Sequence, residues 1–304
     1  MPELPDVAVY LERIDALFRG QRLERVRVAS PFLVRSFDPP MKEAEGQRLL
    51  GTRRMGKRLV LELSSDLFLV LHLMIAGRLR LRDVGAAVPK KLGLAAFDFE
   101  TGALLLTEAS SKKRASLHLV RGSAALEPFR RSGVEPLEAS ADAFAEALRR
   151  ENRTLKRALT DPNIVSGVGN AYSDEILFTA KLSPGKRTGQ LGDDEMERLW
   201  RATVDTLTQW TCRLREEVGD GFPEKVTAFR EGMAVHGRYK QPCPVCGTLV
   251  QRIRYADNEL DYCPRCQTDG RLLADRGLSR LLGQDFPKRI EELEERQAET
   301  KRRS

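Results

Sequence analysis

The first apolar rhythm along the chain is helical. Val7, Tyr10, Leu11, Ile14, Leu17 and Phe18 recur at three- and four-residue spacing before Gly20, which predicts a helix over residues 5–18. From about residue 21 to 135 the period falls to two. Leu23, Val26 and Val28 form one short run, and Leu59, Leu61 and Leu63 another. After the Ser64-Ser65-Asp66 turn comes 67–73, and segments 78–82, 95–99 and 103–107 continue the alternation. This pattern predicts a β-sandwich or barrel-like domain behind a leading helix. Residues 126–142, punctuated by Pro128 and Pro136, read as a linker. Helical patterns return at about 141–150, 152–160, 170–181 and 193–217; the last opens on Asp193-Asp194-Glu195, charge that suits a helix N-terminus. A cysteine-bearing module follows at about 236–270. Leu272, Leu273, Leu278, Leu281 and Leu282 predict a short helix within 271–285. The nearly all-charged end, 288–304, predicts a frayed helix or disorder. No internal repeat interrupts this order.

Composition narrows the class. With 304 residues and 41% apolar content the chain can build more than one core. Its 51 basic against 44 acidic residues give a net charge of +7, which points to a polyanionic partner, nucleic acid before an anionic membrane. No apolar run approaches the roughly 18 residues of a membrane span. The first residues are acidic and proline-punctuated rather than basic and then apolar, so no secretory signal is expected and a cytoplasmic location is.

Four of the five cysteines are clustered. Cys243-Pro-Val-Cys246 and Cys263-Pro-Arg-Cys266 are separated by sixteen residues, the spacing of a zinc ribbon. Two such knuckles give Zn²⁺ a tetrahedron of thiolates with no open position, so one structural rather than catalytic ion is expected. Disulfides do not suit a reducing compartment. Cys212 stands alone and reads as a core residue. Between the knuckles Arg252 and Arg254 make a basic hairpin, suited to a nucleic-acid groove or to a protein-binding knob.

Two further segments carry chemistry. Methionine before proline is usually trimmed, which would leave Pro2 as a secondary-amine N-terminus. Such an amine can attack a sugar aldehyde carbon to give an iminium that stays cationic and acts as an electron sink. Glu3 is placed to move protons beside it. In DPNIVSGVGNAYSDEILF, residues 161–178, Gly167 and Gly169 flank a tight turn before a helix starting near Asn170. Glycines admit a phosphate close to the backbone, and a helix N-terminus offers free N–H donors.

Together these pieces resemble the formamidopyrimidine-DNA glycosylase / endonuclease VIII family. The resemblance is carried by PELPDV, by Lys57 in RRMGKRLVLEL, by His72-Leu-Met-Ile-Ala-Gly77, by VSGVGNAYSDEILF and by the four-cysteine finger, in order over roughly residues 2–270. It implies an α+β multidomain fold. Residues 1–135 would form a catalytic β-sandwich with its leading helix, 136–235 a helix-two-turns-helix domain, 236–270 a zinc finger, and 271–304 a C-terminal helix and charged tail. The implied activity is excision of a flipped damaged base followed by β,δ-elimination at the abasic site. Pro2 would be the Schiff-base nucleophile. Glu3 would protonate the deoxyribose ring oxygen, and Lys57 would contact the backbone and assist acid catalysis. Asn170 and His72 would hold phosphate, and Glu175 matches a family glutamate near the lesion. The implied partner is damaged DNA, bound by a monomer that is nucleoid-associated in a prokaryote.

Three departures touch lesion reading. Asn258 occupies the place of the family's zinc-hairpin arginine, which Arg252 or Arg254 would have to replace. Residues 107–116 read TEASSKKRAS where the family has an arginine and an aromatic wedge; here Lys112, Lys113 and Arg114 give charge without the ring. Ile75 stands where many members have a methionine wedge, with Met74 adjacent. The short segment before the finger lacks the base-capping loop of 8-oxoguanine enzymes. The resemblance therefore implies oxidised pyrimidines or further-oxidised purines rather than 8-oxoguanine, with single-stranded or bubble DNA as a further expected substrate. A non-catalytic damaged-DNA-binding paralogue and a zinc-ribbon adaptor for RNA or protein are the alternatives.

Overall fold

The structure, a computed structural model, describes residues 1–254, 259–274, 280–281 and 283–303. By packing the chain divides into two compact units, Met1–Ser132 with Leu207–Ala228, and Gly133–Thr206 with Phe229–Ser304. No helix among the described residues is long and apolar enough to cross a membrane.

The first unit is a sandwich of two four-stranded antiparallel sheets. One has the order β1-β6-β7-β5, the other β2-β3-β4-β8. Its strands are β1 Leu23–Val28, β2 Leu49–Met55, β3 Arg58–Leu63, β4 Leu67–His72, β5 Gly77–Arg82, β6 Gly93–Phe99, β7 Ala103–Glu108 and β8 Ser116–Arg121. Period-2 alternation sends Leu59, Leu61, Leu63, Leu67, Leu69, Leu71, Leu117 and Leu119 inward against Leu79, Phe97, Leu104 and Leu106. Helix α1, Leu4–Phe18, adds Val7, Tyr10, Leu11, Ile14 and Phe18 to this core, with Phe18 stacked on Phe99 at 4.4 Å. Pro5 sits in the first turn, where its missing N–H costs no helical bond.

The outer face of β3 and β4 is apolar as well. Val60, Phe68 and Val70 are covered by Leu126 and Phe129 of a 3₁₀ turn, Ser123–Phe129. The expected linker over 126–142 therefore starts as packed structure. The end of α5 (Asp193–Val218) and the chain after it belong to this unit: Arg215 pairs with Glu12 at 2.6 Å, and Arg13 donates to Gly221 O at 2.7 Å.

The second unit is helical with a metal-ligand module. It holds α2 Ala141–Arg149, α3 Leu155–Thr160, α4 Asn170–Thr179 and the start of α5, then hairpin strands β9 Gln251–Arg254 and β10 Glu259–Tyr262 and the short α6 Pro264–Thr268. Helix α4 is buried from Ala171 to Leu177, which is why its sequence shows little amphipathic contrast. The expected helix over 271–285 is replaced at its start by pairing: Arg271 bridges Arg289, and Leu272 N donates to Lys288 O at 2.8 Å. Leu278 and Leu282 lie outside the described residues. Of the two expectations for the charged end, the helix is the one found, Ile290–Arg303 (α7), with Ile290 buried and Arg265 paired to Glu294 at 3.3 Å.

Candidate functional site

The first unit gathers its chemistry at the head of α1. Pro2, Glu3 and Leu4 are buried. Glu3 N donates to Asp6 Oδ2 at 2.8 Å and Glu3 O accepts from Val7 N at 3.0 Å, so the helix start fixes the backbone of the terminus. Burial lowers the pKa of the Met1 α-amine; Arg78 and Lys57 act the same way, against the carboxylates of Glu3 and Asp6. Removal of Met1 would pass the amine to Pro2, one residue deeper. A neutral amine is the nucleophilic form of such a group.

Lys57 stands in the two-residue turn between β2 and β3, whose last pair is Met55 with Arg58. Arg58 is in turn opposite His72 on β4. Burial, with the charges of Arg58 and Lys57, pulls the His72 pKa down to about 4, so the ring is neutral at pH 7. Its Nδ1 faces Met74 Sδ. Pro2, Glu3, Lys57 and His72, far apart in sequence, thus share one end of the sandwich.

The β4–β5 turn projects from the same end. Met74 takes a left-handed φ of +53°, a costly conformation for a side chain of its size. Gly77 closes the turn with its N–H on Leu73 O at 2.9 Å, and a Cβ at Gly77 would lie 2.2 Å from that oxygen. Held in this way, Ile75 is 57% exposed, an apolar side chain presented to solvent.

Lys112 and Arg114 are exposed on the loop after β7, while Lys113 reaches back to Glu108 O. Buried Glu108 braces this loop: its carboxylate accepts from Arg114 N at 3.0 Å and Ala115 N at 3.2 Å. Sequence reasoning passed over Glu108. It also missed Arg78, although arginines at 78, 80 and 82 alternate with leucines along β5 and mark one charged row.

In the second unit Asn170 opens α4 after Gly167, whose φ is +78°. Its Nδ2 donates to Glu259 O on β10 at 2.8 Å, and its carbonyl accepts from Lys156 Nζ at 2.7 Å. Glu175 is not open to solvent here. Its two oxygens accept from Ala234 N, Val235 N and His236 N at 2.7–2.9 Å. Burial raises its pKa against those three bonds. The residue therefore holds the 234–236 backbone.

Asp174, His236 and Asp261 form a buried cluster that could in principle ligate a cation. Lys156 already pairs with Asp174 at 2.6 Å and Arg252 with Asp261 at 2.8 Å, so both carboxylates are compensated by protein. Arg252 also contacts Glu259 at 2.9 Å and lies over Tyr239, which commits it to the hairpin. Arg254 is exposed at the end of β9. Asn258 lies outside the described residues.

The sulfurs of Cys243, Cys246, Cys263 and Cys266 all lie within 4.8 Å of one another. Two of the pairs measure 3.9 and 3.4 Å, Cys243 with Cys266 and Cys246 with Cys263. Four thiolates about 2.3 Å from a tetrahedral zinc would be roughly 3.8 Å apart, and a disulfide would need about 2.05 Å. The donor set fits one structural Zn²⁺ with every position taken by protein.

These geometries have counterparts. The N-terminal domain profile of formamidopyrimidine-DNA glycosylase matches residues 1–118, the H2TH domain of the same enzyme matches 132–212, and the zinc finger found in FPG and IleRS matches 240–268. A formamidopyrimidine-DNA glycosylase of Listeria monocytogenes is 30% identical over 277 residues, 88% of this chain and 100% of the relative. One of Thermus thermophilus is 34% identical over 285 residues, 89% of this chain and 100% of the relative. The solved Lactococcus lactis Fpg in complex with an oxidized pyrimidine containing DNA superposes with a TM-score of 0.77 at 27% identity, covering 88% of this chain and 100% of that one. With three successive domains matched and full-length relatives spanned, the chain belongs to the formamidopyrimidine-DNA glycosylase family.

Proposed function

We propose that this chain is a bifunctional DNA glycosylase and abasic-site lyase of base-excision repair, working through the amine of Pro2 after loss of Met1. The observation that supports this reading is the buried Pro2-Glu3 step at the head of α1, next to a Met1 α-amine whose pKa burial, with Arg78 and Lys57, lowers against Glu3 and Asp6.

The steps follow from that arrangement. The Pro2 nitrogen lone pair attacks C1′ of the damaged nucleotide as the base departs with the electron pair of its glycosidic bond; the proton lost from the Pro2 nitrogen passes to the departing base. Glu3 gives a proton to the ring oxygen as the C1′–O bond opens, leaving a cationic iminium. Loss of a C2′ proton into this sink expels the 3′ phosphate, a second elimination expels the 5′ phosphate, and water releases the sugar remnant and restores the amine. Lys57 assists the acid step beside the phosphate backbone. Neutral His72 and the Asn170 turn are phosphate donors, Ile75 with Met74 enters the space left by the flipped base, and Lys112, Lys113 and Arg114 with Arg254 supply positive charge along the strand.

For the lesion, the reading is oxidised pyrimidines or further-oxidised purines, with single-stranded and bubble DNA accepted. Support comes from the short segment between α5 and the finger and from the absence of an aromatic wedge in TEASSKKRAS. Zinc, when bound by the four cysteines, shapes the hairpin and supplies no reaction chemistry.

Borohydride trapping on an abasic-site oligonucleotide tests the reading, followed by a lesion panel on single- and double-stranded DNA. A covalent adduct that disappears in Pro2→Gly/Glu3→Gln supports it. No adduct with the wild-type chain, or one that persists in the double variant, favours the non-catalytic paralogue. Binding indifferent to lesion and abasic site favours an adaptor.

A further inference from the structure

The arginines of β5 do not share one role. Arg80 and Arg82 both pair with Glu224, at 3.4 and 3.0 Å. Arg78 binds backbone carbonyls from two segments. Its Nε donates to Val226 O at 2.6 Å, and a terminal nitrogen donates to Gly77 O at 2.7 Å and Ile75 O at 3.2 Å. One planar guanidinium therefore joins the turn carrying Met74 and Ile75 to the segment after α5. The same cation acts on the α-amine at the head of α1.

We propose that Arg78 is a positioning residue for the amine chemistry, its guanidinium tying the Ile75–Gly77 turn to the Val226 segment while its charge acts on the N-terminal amine. The inference rests on the Pro2 reading for its catalytic meaning, but not for its geometry. Lysine could keep the charge but not the fork, since an ammonium cannot span carbonyls in fixed planar directions. Arg78 also has an electrostatic effect. A fixed positive charge disfavours a second one nearby, so Arg78 favours the neutral amine. Lys57 from the β2–β3 turn acts in the same sense, and Glu3, which caps α1, and Asp6 in its first turn oppose both. With the two carboxylates beside it, the terminus would hold its proton more firmly if Arg78 were absent.

Arg78→Met and Arg78→Lys are compared with wild type in the full zinc-loaded chain, with thermal unfolding as the check on folding. The first measurement is the pH dependence of N-terminal amine labelling by an acylating reagent, which needs no catalysis. Arg78→Met is expected to raise the midpoint, making labelling near pH 6.5 roughly three- to tenfold slower, and Arg78→Lys to restore it. The second is the single-turnover trapping rate on abasic DNA at saturating protein. There Arg78→Lys is expected to stay slow although its pH profile matches wild type, because the turn is no longer held. An unchanged labelling midpoint in Arg78→Met, or full trapping speed in Arg78→Lys, overturns the proposal. If wild type labels normally but traps nothing, the Pro2 reading fails, while the labelling series still decides whether Arg78 governs the amine.

Discussion

His72 gives the sharpest quantitative consequence. In the folded chain its pKa is pulled to about 4, while an unfolded histidine titrates near 6.5. Between those two values the unfolded chain binds a proton that the folded chain refuses, so stability falls as pH falls. The contribution is fully present above about pH 6.5 and is lost as the pH drops through 4. Between pH 8 and pH 5 the two titration curves differ by roughly 2 kcal/mol for this one residue. Burial of the ring and the nearby charges of Arg58 and Lys57 are the cause. Replacing His72 by Gln keeps a polar side chain and removes the titration. Urea unfolding of both full-length proteins at pH 8, 6.5 and 5 gives the test. Wild type is expected to lose about 2 kcal/mol more than His72→Gln over that interval. His118, whose pKa is also lowered by burial and by Arg58 and Arg35, is common to both proteins and cancels. Parallel pH–stability curves for the two would refute a neutral, half-buried His72.

Three other expectations follow from the described contacts. Glu108→Ala removes the acceptor for the N–H groups of Arg114 and Ala115 and is expected to cost about 2 kcal/mol in urea unfolding, with faster tryptic cleavage at Lys112–Arg114. Ile290→Asp places a charge where the side chain is 1% exposed. It is expected to forfeit about 2 kcal/mol of local burial and to speed amide exchange over 288–303, leaving the melting of the sandwich unchanged. Chelating zinc is expected to free four thiols to a thiol reagent and to abolish protection of β9 and β10, since the finger's folding energy is largely its metal-binding energy.

Much of this architecture was legible from its apolar runs. Helix α1 was expected over 5–18 and runs Leu4–Phe18; β5 follows the Arg/Leu alternation of GRLRLR, while β3, β6 and β7 lie at the expected apolar segments although most of their residues are buried on both faces. Strand β2 was hidden by its composition. LLGTRRM shows little alternation, and it pairs only with β3, at a sheet edge where arginine is tolerated. Of the helix that leucine spacing predicted over 271–285, the described Arg280 and Leu281 are helical, but its start is not: Leu272 pairs its backbone with Lys288 and Ile290 with Gly270, a long-range choice that no local pattern encodes. For the candidate site, the four cysteines were legible because their spacing is that of a metal knuckle pair, and their sulfurs do come together. Arg78, Glu108 and Asp174 were not. They act through backbone carbonyls, backbone N–H groups and buried partners from distant segments, which a linear reading cannot bring together.

Glu108 and Glu175 do the same kind of work in different units: each buried carboxylate gathers N–H groups from a loop that would otherwise be free to wander. The consequence is calorimetric. The entropy of ordering residues 114–115 and 234–236 is met when the chain folds, not when a partner arrives. Association through these loops should therefore show a heat-capacity change set by the apolar area it buries, without the added large negative component that accompanies a segment folding on contact.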